Sequence, residues 1–432
     1  MFPSQKKFTP PLPPPKIGRA DFAKWLVTVL ACFVSVAASA QRLSALVDSA
    51  KQAYANGRYD LYFERMQQAS RLRPDHPLVC YHLGVATALV DSLHLATTAL
   101  TRALWMDSRW PLASHPHLSH FLTTPAGHAV RALQQRLQSP VIRSDTAAQF
   151  DDPTLHLEAV AYDLRKKTFW GASVRHGKIA KLHRGKEMEE TSELPSVLGL
   201  AWDAKRQVLW ACGSPLPEQR DYDSLARSFV MAVHPATRKV ICQVRVDEKS
   251  VLGDLVVTRK GDVYVSDTHN NRLLLVTPQG QQTTVMASPE WRNIQGLALD
   301  DTGRFLFVAD YLKGICQIEL ATQRITWLLN ATEASTKGID GLEYYRGSLV
   351  AIQNGVYPHR VMRFFLDEAR TALVRYEVLD WAHPAFDEPT NGTVVGDTLY
   401  YVANSCWSAY DAHHQWKPSR ISRSLILKVA LR

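Results

Sequence analysis

The chain has 432 residues, 46% of them apolar, long enough for two or three domains and apolar enough for a sizeable core, which excludes a disordered or fibrous protein. Its formal charge is +9, yet residues 1 to 40 hold Lys6, Lys7, Lys16, Arg19 and Lys24 against Asp21 alone, leaving +5 for the rest. That remainder is too diffuse for a phosphate-binding stripe, and no nucleic-acid partner is expected.

Taken in chain order, residues 1–40 read as a leader. PPLPPP (10–15) is an extended stretch, and the apolar run WLVTVLACFVSVA (25–37) leads to Ala38-Ser39-Ala40 before Gln41. This is the pattern of a secretory signal peptide, since the run falls short of the roughly 20 apolar residues that a spanning helix needs. The expectation is an exported chain, periplasmic or extracellular, with no transmembrane segment after cleavage. Cys32 in VLAC offers lipoprotein anchoring as a second reading. Cys80, Cys212, Cys242, Cys316 and Cys406 are widely spaced, with no CxxC. An odd number at strand-like positions predicts buried single thiols and no structural metal.

From 43 to 110, YANGRYDLYFERMQQASRLRP and LGVATALVDSLHLATTALTRALWMDSRWP align at an offset of 34, which superimposes Ala69 on Ala103. The pattern is similar to the tetratricopeptide repeat: Gly57-Arg58-Tyr59, Ala69 and Pro74 in one copy, Leu83-Gly84, Ala96 and Ala103 in the other. Small residues at those positions let paired helices approach closely. Ala50 and Tyr62 stand where the family has glycine and alanine. With a capping helix at 126–137, residues 41–140 are expected to form a small all-α domain. It is either an appendage packed on its neighbour or a groove for a protein partner.

After residue 150 the texture becomes alternating apolar residues, aromatics and short Gly/Asp turns. EAVAYDLRKKTFWGAS (158), LGLAWDAKRQVLWACG (198), GDLVVTRKGDVYVSDT (253), QGLALDDTGRFLFVAD (295), DGLEYYRGSLVAIQNG (340) and NGTVVGDTLYYVANS (391) align at a shared strand start. Each copy is a strand, a turn and a second strand, with room for two more, which predicts a mainly β chain over 141–432: a six-bladed β-propeller of four-stranded blades. The sixth copy stops at its third strand, SLILKVALR (424–432), and VIRSDTAAQF (141–150) is free to supply the missing outer one. Closure by this N-terminal strand would leave no open edge.

LEAVAYDLRKKTFWGASVRHGKI, the six repeats and the NHL-like SDTHNNRLLLV together resemble the senescence-marker-protein, gluconolactonase and luciferin-regenerating-enzyme family of propellers. Independently of that likeness, the first residue of each innermost strand falls at the mouth of the central channel. These anchors are Glu158, Leu198, Gly253, Gln295, Asp340 and Asn391, with Asp254 adjacent, and their oxygen-rich set suits a hard divalent cation such as Ca²⁺. The resemblance puts the family's metal-binding Glu on Glu158, its Asn on Gln295 and its Asp on Asp340; Asn293, on the same strand face, is a substitute for the lengthened amide, and Asn391 a further ligand. The family's substrate-contacting Arg-x-Asn-Asp falls on Val251-Leu252-Gly253-Asp254, so only the aspartate is kept and sugar-lactone specificity is not implied. Asp254 is the candidate general base and Asp340 the alternative.

Turns between second and third strands are expected on the same face, carrying Arg175, His176, His269, Tyr311, Tyr357, His359 and Trp407, either as substrate contacts or as solvated turn residues. The insertion GSPLPEQRDYDSLARS (213–228) would cover the mouth or be an excursion. No GxSxG, HExxH, Walker loop or GxGxxG stands in a suitable context. Two functions remain open: metal-assisted hydrolysis of a small lactone or ester, or a non-catalytic binding propeller that uses the helical repeats and mouth loops for a partner.

Overall fold

The computed structural model describes residues 41–183, 186–191, 193–246, 249–417 and 422–432. The expected signal peptide and Cys32 lie outside the described residues. The chain divides into two compact units at Pro74/Asp75. In the first, α1 (41–55) and α2 (Tyr59–Leu72) are joined through Gly57, whose φ of +69° favours a residue without a Cβ. Tyr54 meets Tyr62 edge-on at 5.2 Å.

The second unit opens with α3 (Pro77–Leu89) and α4 (Leu93–Met106). A Cβ on Gly84 would stand 2.5 Å from Leu100 Cγ, so the close approach of this pair requires glycine there. α5 (Pro125–Gln138), where the capping helix was expected, starts with proline in its first turn and is capped by Thr124 Oγ1, which accepts from the Gly127 N–H at 3.1 Å. These three helices belong to the same unit as the propeller. Trp105 of α4 packs edge-on to Tyr376 and Trp381 of blade five, Ser108 N–H donates to Tyr357 O, and the Trp381 indole donates to Ser139 O.

The six blades are present, and each is a sheet of four antiparallel strands; blade five gains a two-residue parallel bridge, Leu329–Asn330, on its outer strand. Their innermost strands are Leu157–Asp163, Ser196–Asp203, Leu252–Val257, Ile294–Leu299, Ile339–Tyr345 and Gly392–Val395. The hairpin that follows each inner strand is built by local chemistry. Asp163, Asp203 and Asp300 accept N–H groups two to five residues ahead. Each hairpin has a residue in a left-handed conformation, Lys167, Gln207, Gly261, Gly303, Gly347 and Gly396, and in blade five Arg346 joins Gly347 there. Closure is as expected, with Asp145–Gln149 running antiparallel to Leu425–Ala430 so that Asp145 faces Lys428. Apolar faces of adjacent blades form the core, such as Trp170, Leu209 and Met231 between blades one and two. Cys80, Cys212, Cys242, Cys316 and Cys406 are all buried and none forms a disulfide, as the spacing implied. Among the described residues no helix is long and apolar enough to cross a membrane.

Candidate functional site

In five of the six blades the ladder between inner and second strand shifts register at the anchor, between Leu157 and Ala159, Val197 and Gly199, Leu252 and Leu255, Ile294 and Leu297, and Ile339 and Leu342. Such a bulge turns one side chain away from the sheet. Here it delivers Glu158, Leu198, Gly253, Gln295 and Asp340 to the wall of one cavity of about 620 Å³ on the propeller axis. Asn391 is the exception: it does not line the cavity, and its Nδ2 reaches Asp254 Oδ1 at 3.3 Å.

The residue after each anchor is small in every blade but one: Ala159, Gly199, Gly296, Gly341 and Gly392 against Asp254. Asp254 uses the room the others leave. Its carboxylate accepts the Leu297 N–H of blade four at 2.8 Å and the Asn391 amide of blade six, which crosses the axis. Burial pushes this carboxyl up to about 7, against the pull of the Leu297 and Leu255 N–H groups. The side chain is 8% exposed and is not among the cavity-lining residues, so the expected base forms a floor beneath the cavity. Further along the inner strand of blade five, Glu343 is also raised, by burial and then by the Asp254 charge.

Among the described residues four carboxylates line the cavity, Glu158, Glu218, Asp340 and Glu388, and no lysine, arginine or histidine does. Glu158 is held well above the carboxylate range by burial and by Asp340, while the Trp407 indole donates to its Oε2 at 2.9 Å. Asp340 is raised to about 6 by burial although Asn354 Nδ2 donates to its Oδ2 at 2.6 Å; Tyr311 in turn donates to Asn354 Oδ1 at 3.0 Å. Glu388 is raised by burial, Asp387 and Asp340. This donor set of carboxylates and amides, whose carboxylates repel one another and have no base among the described lining residues, fits a hard cation. Among the described residues no three His, Cys, Asp or Glu side chains are grouped to hold a metal. Glu158 and Asp340 would therefore need amide and water oxygens to complete a shell. Gln295 donates through Nε2 to Asn293 Oδ1 at 2.6 Å, and both line the cavity.

The second-to-third-strand turns do open on this face, through Thr268, Tyr311, Asn354 and Trp407, with Leu216, Pro217 and Glu218 from the insertion. Of the expected mouth contacts, Tyr311 and Trp407 line the cavity. Arg175 lies against Trp416, His176 beside Thr154, Tyr357 under Arg109 and against His359, and His269 is exposed; none of these five lines it. Asn354, Glu388 and Glu343 were not singled out from sequence. Asn354 sits in the turn that the repeat locates, but nothing periodic marks Glu388, which lies in the connection ahead of blade six at a φ of +55°.

No protein-family model matches the chain, and no curated protein does. Among solved structures it is similar to the calcium-binding protein regucalcin from Agrobacterium tumefaciens, at 13% identity and a TM-score of 0.47 over 67% of this chain and 95% of that one. It is also similar to a gluconolactonase from Xanthomonas campestris, at 13% identity and a TM-score of 0.43 over 67% and 94%. A third is the PQQ-bound aldose sugar dehydrogenase from Streptomyces coelicolor, at 16% identity and a TM-score of 0.43 over 67% and 99%.

Proposed function

We propose that the axial cavity hydrolyses a small lactone or ester with the help of a divalent cation, Ca²⁺ before others, in an exported protein. The observation that carries this reading is the convergence of Glu158 and Asp340 on one cavity whose lining, among the described residues, holds no basic side chain. The two positions are also those where the resemblance places the family's metal-binding carboxylates. Glu158 and Asp340 would hold the ion, with Asn293 and Gln295 supplying amide oxygens. A bound cation polarises the substrate carbonyl and stabilises the developing oxyanion. Trp407 fixes one oxygen of Glu158 and Asn354 fixes one oxygen of Asp340, so each carboxylate keeps a defined orientation. Glu388 lines the cavity with a raised pKa and takes the proton of the attacking water, while Asp254 supports the floor.

Calorimetric titration of Ca²⁺ into the purified protein, beside hydrolysis of a panel of lactones and aryl esters, tests the reading. Glu158→Gln and Asp340→Asn should each weaken ion binding by tenfold or so without unfolding the propeller, since both side chains face a solvated cavity. Glu388→Gln should bind the ion normally and lose turnover by about 10²- to 10⁴-fold. A wild-type protein that binds no ion and hydrolyses nothing above background would sink the enzyme and leave the binding propeller.

A further inference from the structure

The cavity has two unlike halves, and the division follows the blades. Blades four, five, six and one present carboxylates and amides: Asn293, Gln295, Asp340, Asn354, Glu388 and Glu158. Blades two and three present Leu198, Leu216, Pro217, Val251 and the bare backbone of Gly253. Two polar residues also lie on this second side, but each already has a partner. Thr268 Oγ1 donates to Ile294 O at 2.7 Å, and Glu218 Oε1 bonds His414 Nδ1 at 2.6 Å. Little polar capacity is left on that wall to receive a substrate hydroxyl.

We infer that blades two and three form a wall for an aliphatic chain, so that the preferred substrate is a neutral lactone or ester bearing an alkyl or acyl group. This rests on the hydrolytic reading of the same cavity. The carbonyl end faces the oxygen-rich half, and the chain lies along Leu198, Leu216, Pro217 and Val251. A polyhydroxylated ring in that place would give up water for a wall that is mostly aliphatic, where the hydroxyls along Leu198, Leu216, Pro217 and Val251 find no partner, a loss that each such buried hydroxyl repeats. An anionic substrate would meet Glu158, Glu218, Asp340 and Glu388 with no base among the described lining residues to receive it. At about fourfold in affinity per buried methylene, a chain of a few carbons outweighs the contacts that a sugar ring forgoes here.

The test separates binding from turnover. Calorimetry in the presence of Ca²⁺ would compare a homologous series of neutral N-alkyl lactams, which resist hydrolysis, with a polyhydroxylated lactam and an alkyl carboxylate. The expected result is affinity rising about fourfold per methylene, weaker binding of the other two, and a flattened series in Val251→Thr, which changes polarity at nearly constant shape. Leu198→Asn is the stronger variant, and the conservative one stands if it fails to fold. Affinity independent of chain length, tighter binding of the polyhydroxylated lactam or the carboxylate, or no binding of any member would overturn the inference. Hydrolysis of the corresponding lactones is read separately: chain-dependent binding without turnover keeps the wall and removes the hydrolase, and turnover without chain preference does the reverse.

Discussion

Asp254 is a carboxyl that the packing wants neutral and its partners want charged. Burial raises it to about 7, while the Leu297 and Leu255 N–H groups and the Asn391 amide favour the anion. In the folded chain it holds its proton up to that pH; in the unfolded chain it loses it near the ordinary value of 3.8. Its contribution to stability is therefore complete below about pH 4 and fades as pH rises toward 7, by at most about 1.4 kcal/mol per pH unit. Asp254→Asn cannot ionise, so it should gain on the wild type as pH rises from about 4 to about 7 and hold that gain above it, read as a difference in melting temperature that widens and then levels off. An unchanged difference would show that the side chain is not buried as described. The sequence placed Asp254 among the channel residues but did not show which way it faced. Along an unbroken strand neighbours alternate sides; the register shift between Leu252 and Leu255 breaks that alternation.

Among the elements, the inner strands were the most legible part of the chain, because strand, Gly/Asp turn and strand recur with the same anchor six times. What the repeat could not show was the course of the connections. His176 and Tyr357 lie in turns where mouth contacts were expected, yet their partners are Thr154 and Arg109. Those pairings are set by loop conformation, and no hydrophobic period encodes it. The glycines after the anchors show how tightly the inner strands meet at the axis. A Cβ on Gly296 would lie 2.5 Å from Asp340 O and 2.6 Å from Leu342 N. Gly296→Ala should cost about 1–3 kcal/mol and, because the displaced backbone carries Asp340, also weaken Ca²⁺ binding; thermal melting and calorimetry on one preparation would show both, and an unaffected ion affinity would detach Asp340 from the site. Deleting residues 145–149 should lower the melting temperature of the whole propeller in one cooperative step, since blade six loses its outer strand and the ring its closure. A deletion that melts like the parent would refute that account.

At the scale of the molecule, the five described cysteines are buried and none forms a disulfide, so among the described residues no covalent cross-link contributes to stability. Reductant should leave the melting temperature unchanged, and an alkylating reagent should label these cysteines only once denaturant opens the fold; labelling of the native protein would show that a blade is open. The strand Asp145–Gln149 has its partner about 280 residues further along the chain. At roughly 5–20 residues per second, a ribosome adds that stretch in about 15–60 s. For that interval the strand is an early part waiting for a late one. Blades one to five can assemble as they emerge, whereas the sixth is a joint between two distant moments of synthesis. A pause or truncation late in translation therefore does not merely shorten this protein; it leaves the first-made strand with no place to go.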